Sequence, residues 1–278
     1  MRRPRARSAF VSHRWTARGL LGLACALAVL CSSCGTGEES DSDVLTIFAA
    51  ASTTEVVEAL SRSFEQERPE CRLRLVFGPS SGLARQILDG APADVFVSAS
   101  QSWIDALASG DRLAPPAVRL AANRLCIITR SEGAIVAAGP AASPRDAFAR
   151  LATDDRIAIA DAGVPAGEYA RAALASTGDA AFVENRLVGL VDVRDVLRSV
   201  KEGEAALGFV YATDARIEPG VAVLFTYGPG AHPPIELVAA VVRDSALARD
   251  YLAHLTSPLA QHALADKGFS TAGSRGDG

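Results

Sequence analysis

The chain of 278 residues has an ordinary globular composition, with 49% hydrophobic and 22% charged residues. Its formal net charge is −4 although the first 34 residues are rich in arginine, so the remainder is more acidic still. This balance argues against nucleic-acid binding, which needs a basic face, and it requires that any bound anion be held by local groups and not by overall charge.

The first 34 residues are predicted to be a signal peptide. Several arginines precede Gly19–Leu30, an apolar run too short to span a membrane as a finished helix. Two serines then precede Cys34, and small residues directly before a cysteine resemble the end of a bacterial lipoprotein signal. Cys34 is therefore the predicted site of acylation. Cys31, which follows a leucine, is the weaker alternative, and ordinary cleavage without acylation is the other.

The remaining chain is long enough for two domains. Residues 35–43 are predicted to form a flexible tether and residues 272–278 a disordered tail. The part after the signal has about 240 residues, which suits two domains of moderate size. No apolar run in it approaches the length of a membrane span.

Short apolar runs alternate with helical patterns after residue 43. The predicted strands are 45–48, 72–77, 95–98, 125–129, 157–160, 206–211, 221–225 and 235–242. Predicted helices follow Ser52, Ser81, Ser100, Ala166, Asp192 and Ser245. This alternation predicts an α/β fold with mixed, mostly parallel sheets flanked by helices, in which ligands bind outside the carboxyl ends of the strands.

The stretch Leu45–Glu55 predicts a strand, a turn of small residues and a helix start. A helix N-terminus has unpaired N–H groups and a partial positive charge, so it suits an anion. Ser52 is the candidate donor. The alternative is a capping box, in which Ser52 and Glu55 cap the helix and bind nothing else.

A second strand–turn–helix stretch places Ser80 in a similar position. Gly78–Gly82 also matches the G-x-S-x-G pattern of α/β hydrolases, in which Ser80 would be the nucleophile. Its base would then be one of three scattered histidines, His232, His254 or His262. Only one strand precedes the motif, and Pro79 is awkward in a strained turn, so this enzyme hypothesis is the weaker one.

Three further segments end in neutral hydrogen-bond donors. Ala166 lies at the start of a helix after a Gly/Pro loop, and Val193 lies at a helix start that Asp192 can cap. Tyr211 ends a predicted buried strand and can donate through its hydroxyl. Each residue also has a purely structural interpretation, as loop, core or sheet-edge residue.

These five segments share one chemistry, since they offer donors and no titrating carboxylate, thiolate or metal-ligand cluster. Such a set can bind a tetrahedral dianion without catalysing a reaction. A fully deprotonated oxyanion matches it, whereas a protonated phosphate would turn an O–H toward donors. The spacing of Cys71 and Cys126 fits no metal motif. An exported compartment permits a disulfide between them, and buried free thiols are the equal alternative.

Several motifs, in order and spacing, resemble the periplasmic molybdate-binding proteins of ABC importers. The resemblance runs from about Val44 to Phe269. The matching segments are Phe48–Ser52, Ser80–Ile87, Gly90–Phe96, Val164–Tyr169, Asp192–Arg194 and Gly208–Tyr211.

This resemblance implies a two-lobed type II periplasmic binding protein fold with a ligand cleft between the lobes. Lobe 1 would comprise residues 44–122 and 227–271, and lobe 2 residues 123–226. The oxyanion would be held by the hydroxyl and N–H groups of Ser52 and Ser80, the N–H groups of Ala166 and Val193, and the hydroxyl of Tyr211.

The implied protein is exported, anchored by a lipid, monomeric and without a cofactor or enzymatic activity. It would bind molybdate and comparably tungstate, and deliver the ion to the permease and ATPase of an importer. A binding protein for sulfate or phosphate is the alternative within the same fold. Pro79 departs from the family pattern, where a small flexible residue is more usual. If Ser52 binds the anion, Glu55 is predicted to point away from it.

Overall fold

The computed structural model describes residues 44–271 as two five-stranded sheets flanked by helices. The predicted signal, tether and tail therefore lie outside the described residues. The strands are β1 (Val44–Ala50), β2 (Arg72–Gly78), β3 (Val95–Ser98), β4 (Ala114–Asn123), β5 (Leu125–Arg130), β6 (Ile157–Ala160), β7 (Leu187–Leu190), β8 (Leu207–Tyr211), β9 (Val221–Thr226) and β10 (Ile235–Val241). In this part of the chain no helix has the length and apolar character needed to cross a membrane.

The helices fall mainly between successive strands, as a βα alternation requires. They are α1 (Thr54–Glu67), α2 (Ser80–Leu88), α3 (Gln101–Ser109), α4 (Ala134–Ala137), α5 (Pro144–Ala149), α6 (Pro165–Ser176), α7 (Ala180–Val183), α8 (Val193–Glu202), α9 (Ala212–Ile217), α10 (Ala246–Leu255) and α11 (Pro258–Asp266).

The two sheets have the same topology. The first has the strand order β2-β1-β3-β10-β4 and defines lobe 1; the second has the order β7-β6-β8-β5-β9 and defines lobe 2. In each sheet three neighbouring strands pair in parallel, and the remaining two pairings are antiparallel. Four of the five strands therefore point one way, which fits the predicted mixed, mostly parallel sheets.

The chain passes between the lobes twice. Asn123 ends β4 in lobe 1 and Leu125 begins β5 in lobe 2, so the first crossing is at Arg124. The second crossing is the segment 227–234, between β9 and β10. After each crossing the chain enters the new sheet as its one reversed strand, first β5 and later β10.

Apolar faces explain why these elements assemble. Central strands such as β1, β3 and β6 are buried along nearly their whole length, because helices cover both faces of a parallel sheet. Separate clusters of buried side chains lie on the two faces of the lobe 1 sheet, around Phe64 and around Phe96. A third cluster, around Phe209, fills lobe 2. Cys71 and Cys126 lie in different lobes, both buried, and no disulfide joins them.

Two strands were not predicted from the sequence. Both are edge strands: β4 borders the lobe 1 sheet and β7 the lobe 2 sheet. β4 contains Pro115 and Pro116, which an edge strand tolerates because its outer N–H groups need no partner strand.

Candidate functional site

A small pocket lies where the two lobes meet. Its cavity volume is about 20 Å³, far below the roughly 300–1,000 Å³ typical of sites for drug-sized molecules. Segments that follow the carboxyl ends of β1, β2, β3, β6, β7 and β8 line it, so three parallel strands of each sheet contribute. The lining residues are Ala50, Ala51, Ser52, Gly78, Pro79, Ser80, Ala99, Val164, Pro165, Ala166, Asp192, Val193 and Tyr211. All five sequence-predicted site residues are among them.

Ser52 lies in a short 3₁₀ turn, Ala51–Thr53, between β1 and α1. It is 6% exposed, and within residues 44–271 its hydroxyl has no hydrogen-bond partner. No side chain caps α1, and the Glu55 carboxylate bonds Arg194 of lobe 2. The capping-box alternative is therefore wrong. Glu55 does not line the pocket.

Ser80 is the first residue of α2, directly after Pro79. Its hydroxyl oxygen accepts the Ala99 N–H at 3.1 Å, which leaves the hydroxyl proton available to a ligand. Ala99 follows β3 and was not singled out in the sequence. The only signal there was a small residue just after a buried strand, which is too common to identify a site.

The hydrolase hypothesis for Ser80 finds no base in the described residues. His254 bonds Ser63 at 2.8 Å, and His262 lies 3.8 Å from Asp266. His232 bonds the Pro233 carbonyl oxygen and packs near Tyr169. Residues 44–271 also contain no group of His, Cys, Asp and Glu side chains that could hold a metal ion.

Ala166 is the second residue of α6, a helix that begins with Pro165 and has no side-chain cap. The start of this helix packs tightly against the end of β6. A Cβ atom on Gly167 would lie 2.2 Å from the Ala160 carbonyl oxygen, so only glycine fits there. The glycine thus fixes how close the N–H groups of α6 come to the pocket.

Val193 is the first residue of α8, and Asp192 caps that helix. The Asp192 carboxylate accepts the N–H groups of Arg194 at 2.8 Å and Asp195 at 3.1 Å. The N–H of Val193 is left out of this cap and faces no intrahelical acceptor, because the first N–H groups of any helix have none. Its side chain is buried in the lobe 2 core, as expected from the helical pattern.

Tyr211 ends β8, and its ring is 2% exposed. Its hydroxyl is buried and has no hydrogen-bond partner within residues 44–271. An unpartnered buried polar group is costly, and this hydroxyl is therefore available to donate a hydrogen bond to a ligand in the pocket. Burial also raises the pKa of Tyr211 well above its ordinary value, which keeps the phenol protonated and a donor.

The charges beside the pocket are largely compensated. Asp192 is the one carboxylate among the lining residues, and its oxygen is engaged in the helix cap. The neighbouring Arg194 pairs with Glu55 and lies 3.1 Å from Asp214. The pocket therefore offers neutral N–H and O–H donors, and the partial charges of helix N-termini, to whatever it holds.

A protein-family model described as "Bacterial extracellular solute-binding protein" matches residues 45–270. The chain belongs to this family. It is also 33% identical to the molybdate-binding protein ModA of Haemophilus influenzae, an alignment that covers 81% of this chain and 89% of that one. The identity to ModA of Escherichia coli is 34%, over 83% of this chain and 90% of the relative.

Among solved structures, the fold is similar to the periplasmic molybdate-binding protein of Azotobacter vinelandii. The TM-score is 0.70, with 21% identity, over 81% of this chain and 98% of that chain. This likeness supports the two-lobed fold that was predicted from the sequence.

Proposed function

We propose that this protein binds molybdate, and comparably tungstate, outside the cytoplasm and delivers the ion to an ABC importer. One observation carries the proposal: a buried, unpartnered Tyr211 hydroxyl lies in a small pocket with the starts of α1, α2, α6 and α8. Kinship with molybdate-binding relatives supports the choice of ion.

Each of the five residues then has a defined role. Ser52 and Ser80 donate through hydroxyl and N–H, Ala166 and Val193 donate through N–H, and Tyr211 donates through its hydroxyl. Hydrogen bonds from neutral donors to an anion are short and strong in a pocket without water. The helix N-termini add partial positive charge without a proton that titrates.

The donor set selects against other oxyanions. A phosphate that retains a proton would turn an O–H toward a donor and lose that bond. Sulfate has the right charge but is smaller, so it should bind less tightly. Tungstate has the same charge as molybdate and nearly the same size, and should bind comparably.

The cellular context follows from the same proposal. The protein belongs to an extracellular family, and we propose that acylation of Cys34 anchors it to the membrane as a monomer. No cofactor and no catalytic step are required. Its partners would be the permease and ATPase subunits of the importer.

A thermal melt of the purified protein tests the ligand. Molybdate, tungstate, sulfate and phosphate are added separately at equal concentration, because a ligand raises the melting temperature only if it binds the folded state. A rise of several degrees with molybdate and tungstate alone supports the proposal. A rise with sulfate or phosphate instead overturns the choice of ion. Ester hydrolysis that is lost in Ser80→Ala, with no anion binding, would favour the hydrolase.

A further inference from the structure

An ion pair crosses from one lobe to the other beside the pocket. Glu55 lies in the first turn of α1 in lobe 1, and Arg194 lies in the first turn of α8 in lobe 2. The two carboxylate oxygens accept from the two terminal guanidinium nitrogens of Arg194 at 3.0 and 2.6 Å. Such a two-point pair is directional as well as strong. Both side chains are partly buried, at 37% and 24% exposed, so water screens the pair less than a fully exposed one.

Asp214 holds the same guanidinium from the lobe 2 side. Its carboxylate is fully buried, and one oxygen lies 3.1 Å from Nε of Arg194. Its other oxygen accepts the N–H of Tyr211 at 3.2 Å. A buried carboxylate is unfavourable unless a cation lies next to it. Arg194 therefore stays near Asp214 even when lobe 1 has moved away from lobe 2. The two atoms lie at ion-pair distance without the geometry of a hydrogen bond, so Asp214 keeps the guanidinium close to lobe 2 through charge.

Each of these three residues is joined to a proposed ligand-binding segment. Glu55 follows the turn that contains Ser52, Arg194 follows Val193, and Asp214 bonds the backbone of Tyr211. The proposed binding groups are nearly inaccessible in this structure, since Ser80 and Tyr211 are only 2% exposed. An anion can therefore enter or leave only when the lobes separate, and separation breaks the pair between Glu55 and Arg194.

We propose that Glu55, Arg194 and Asp214 form a latch that holds the lobes together over the bound anion and sets its rate of release. The inference rests on the proposed function, because it concerns the residence time of the ion in that pocket. The three residues are positioning residues that do not contact the anion. Two other bonds between the lobes are neutral: Asn123 donates to the Thr213 hydroxyl at 2.9 Å, and Tyr169 donates to the Ala99 carbonyl oxygen at 3.5 Å.

Release of radiolabelled molybdate, chased with excess unlabelled molybdate, tests the latch in the full chain. Glu55→Gln keeps the side-chain shape but removes the negative charge that pairs with Arg194. The label should leave roughly ten times faster than from the wild type, because loss of one partner of a close charge pair acts mainly on dissociation. Arg194→Lys keeps a cation beside Asp214 but cannot form two parallel bonds, and it should give an intermediate rate.

Glu58→Gln is the matched control. Glu58 lies on the same helix, loses the same charge on substitution, and pairs with Arg62 of that helix at 3.7 Å and not with lobe 2. Removal of a negative charge near an anion site would by itself slow release, so simple electrostatics predicts the opposite sign from the latch. Glu58→Gln should therefore release the label at the wild-type rate or slightly slower.

The outcomes separate the two proposals. Wild-type release rates in Glu55→Gln, with the wild type retaining its label, would overturn the latch alone. Equal acceleration in Glu55→Gln and Glu58→Gln would overturn it as well, because the effect would not depend on the contact between lobes. A wild-type protein that retains no label would overturn the proposed function and the latch with it.

Discussion

The two lobes present the pocket through the same strand ends but with different donors. Lobe 1 contributes two serine side chains at the starts of helices, Ser52 and Ser80. Lobe 2 contributes the start of α6, the start of α8 and the buried phenol of Tyr211. Equivalent topology therefore fixes where donors meet, while the local sequence decides whether a side chain or the backbone supplies them.

Serines at other helix starts sharpen this comparison. Ser143, Ser245 and Ser257 each accept an N–H from the first turn of their own helix and so cap it. Ser52 and Ser80 do not cap α1 or α2. A helix start that faces solvent gains stability from a cap, whereas one that faces an anion pocket must keep its donors available. The same residue type therefore serves stability in one place and binding in the other.

The largest effect is expected at the start of α6. In Gly167→Ala the new Cβ atom would lie 2.2 Å from the Ala160 carbonyl oxygen, so the helix must move off β6. Loss of the Ala166 bond and the added strain should weaken molybdate binding by more than roughly 100-fold and lower the melting temperature. Isothermal titration and a thermal melt measure both. Gly228→Ala is the control, since nothing lies within 4 Å of its new atom; equal losses in both variants would contradict this account.

Tyr211→Phe should have the next largest effect on binding. It removes the one side-chain donor of lobe 2, and a bond to a charged group is worth about 1.5–3 kcal/mol, so affinity should fall by roughly 10–100-fold. The stability of the anion-free protein should stay equal or rise, because an unpartnered buried hydroxyl is removed. Tyr227→Phe removes another unpartnered buried hydroxyl outside the pocket and should leave affinity unchanged. A loss of affinity in the Tyr227 variant alone would refute the assignment of Tyr211.

Ser52→Ala and Ser245→Ala should distinguish a serine that binds the anion from a serine that caps a helix. Ser52→Ala is expected to weaken molybdate binding roughly tenfold while leaving the urea midpoint of the anion-free protein unchanged, because the Ser52 N–H remains and no cap is lost. Ser245→Ala should lower the free energy of unfolding by about 1 kcal/mol, because the cap of α10 is lost, and should leave the affinity for molybdate unchanged. A stability loss in Ser52→Ala without a binding loss would restore the capping interpretation of that residue.

The sequence predicted the pocket better than it predicted the sheets that carry it. Strand, small-residue turn and helix start recur at Ser52, Ser80, Ala166 and Val193, and the carboxyl ends of parallel strands meet by geometry. The strands β4 and β7 were not predicted because their own sequences lack the apolar pattern of a strand, unlike the edge strands β2 and β9. The first contains two prolines, and the second is the four-residue run Leu187–Leu190, half exposed.

Contacts between the lobes had no sequence signal. Glu55 and Arg194 are 139 positions apart, and each fits a local pattern by itself, one as a capping-box residue and the other as part of the Asp192–Arg194 motif. Only the packing of α8 against the turn that contains Ser52 brings them together. Asp214 was likewise not singled out, because no helix was predicted after Tyr211; the structure places it in the first turn of α9 and buries it completely.

Asp214 gives the last expected effect, on the stability of the protein without an anion. Burial raises the pKa of Asp214 to about 7, although Arg194 and the Tyr211 N–H lower it and Glu55 and Asp192 raise it further. Between its ordinary value of 3.8 and about 7, the folded protein therefore holds a proton that the unfolded chain has released. Stability must then fall as pH rises through this window, by at most about 1.4 kcal/mol per pH unit.

Urea melts at pH 5 and pH 7.5 test whether stability falls as pH rises. The fall in the free energy of unfolding between these values should be smaller in Asp214→Asn than in the wild type, because the amide has no proton to lose. Asp244→Asn is the control: its bond to Arg249 lowers the Asp244 pKa, so its titration lies below this window and its slope should match the wild type. If the free energy of unfolding of Asp214→Asn falls with pH as much as that of the wild type, Asp214 is ionised over the whole range from pH 5 to pH 7.5. The guanidinium of Arg194 would then be held by a permanent charge, and the lobe 2 side of the latch would not change with pH.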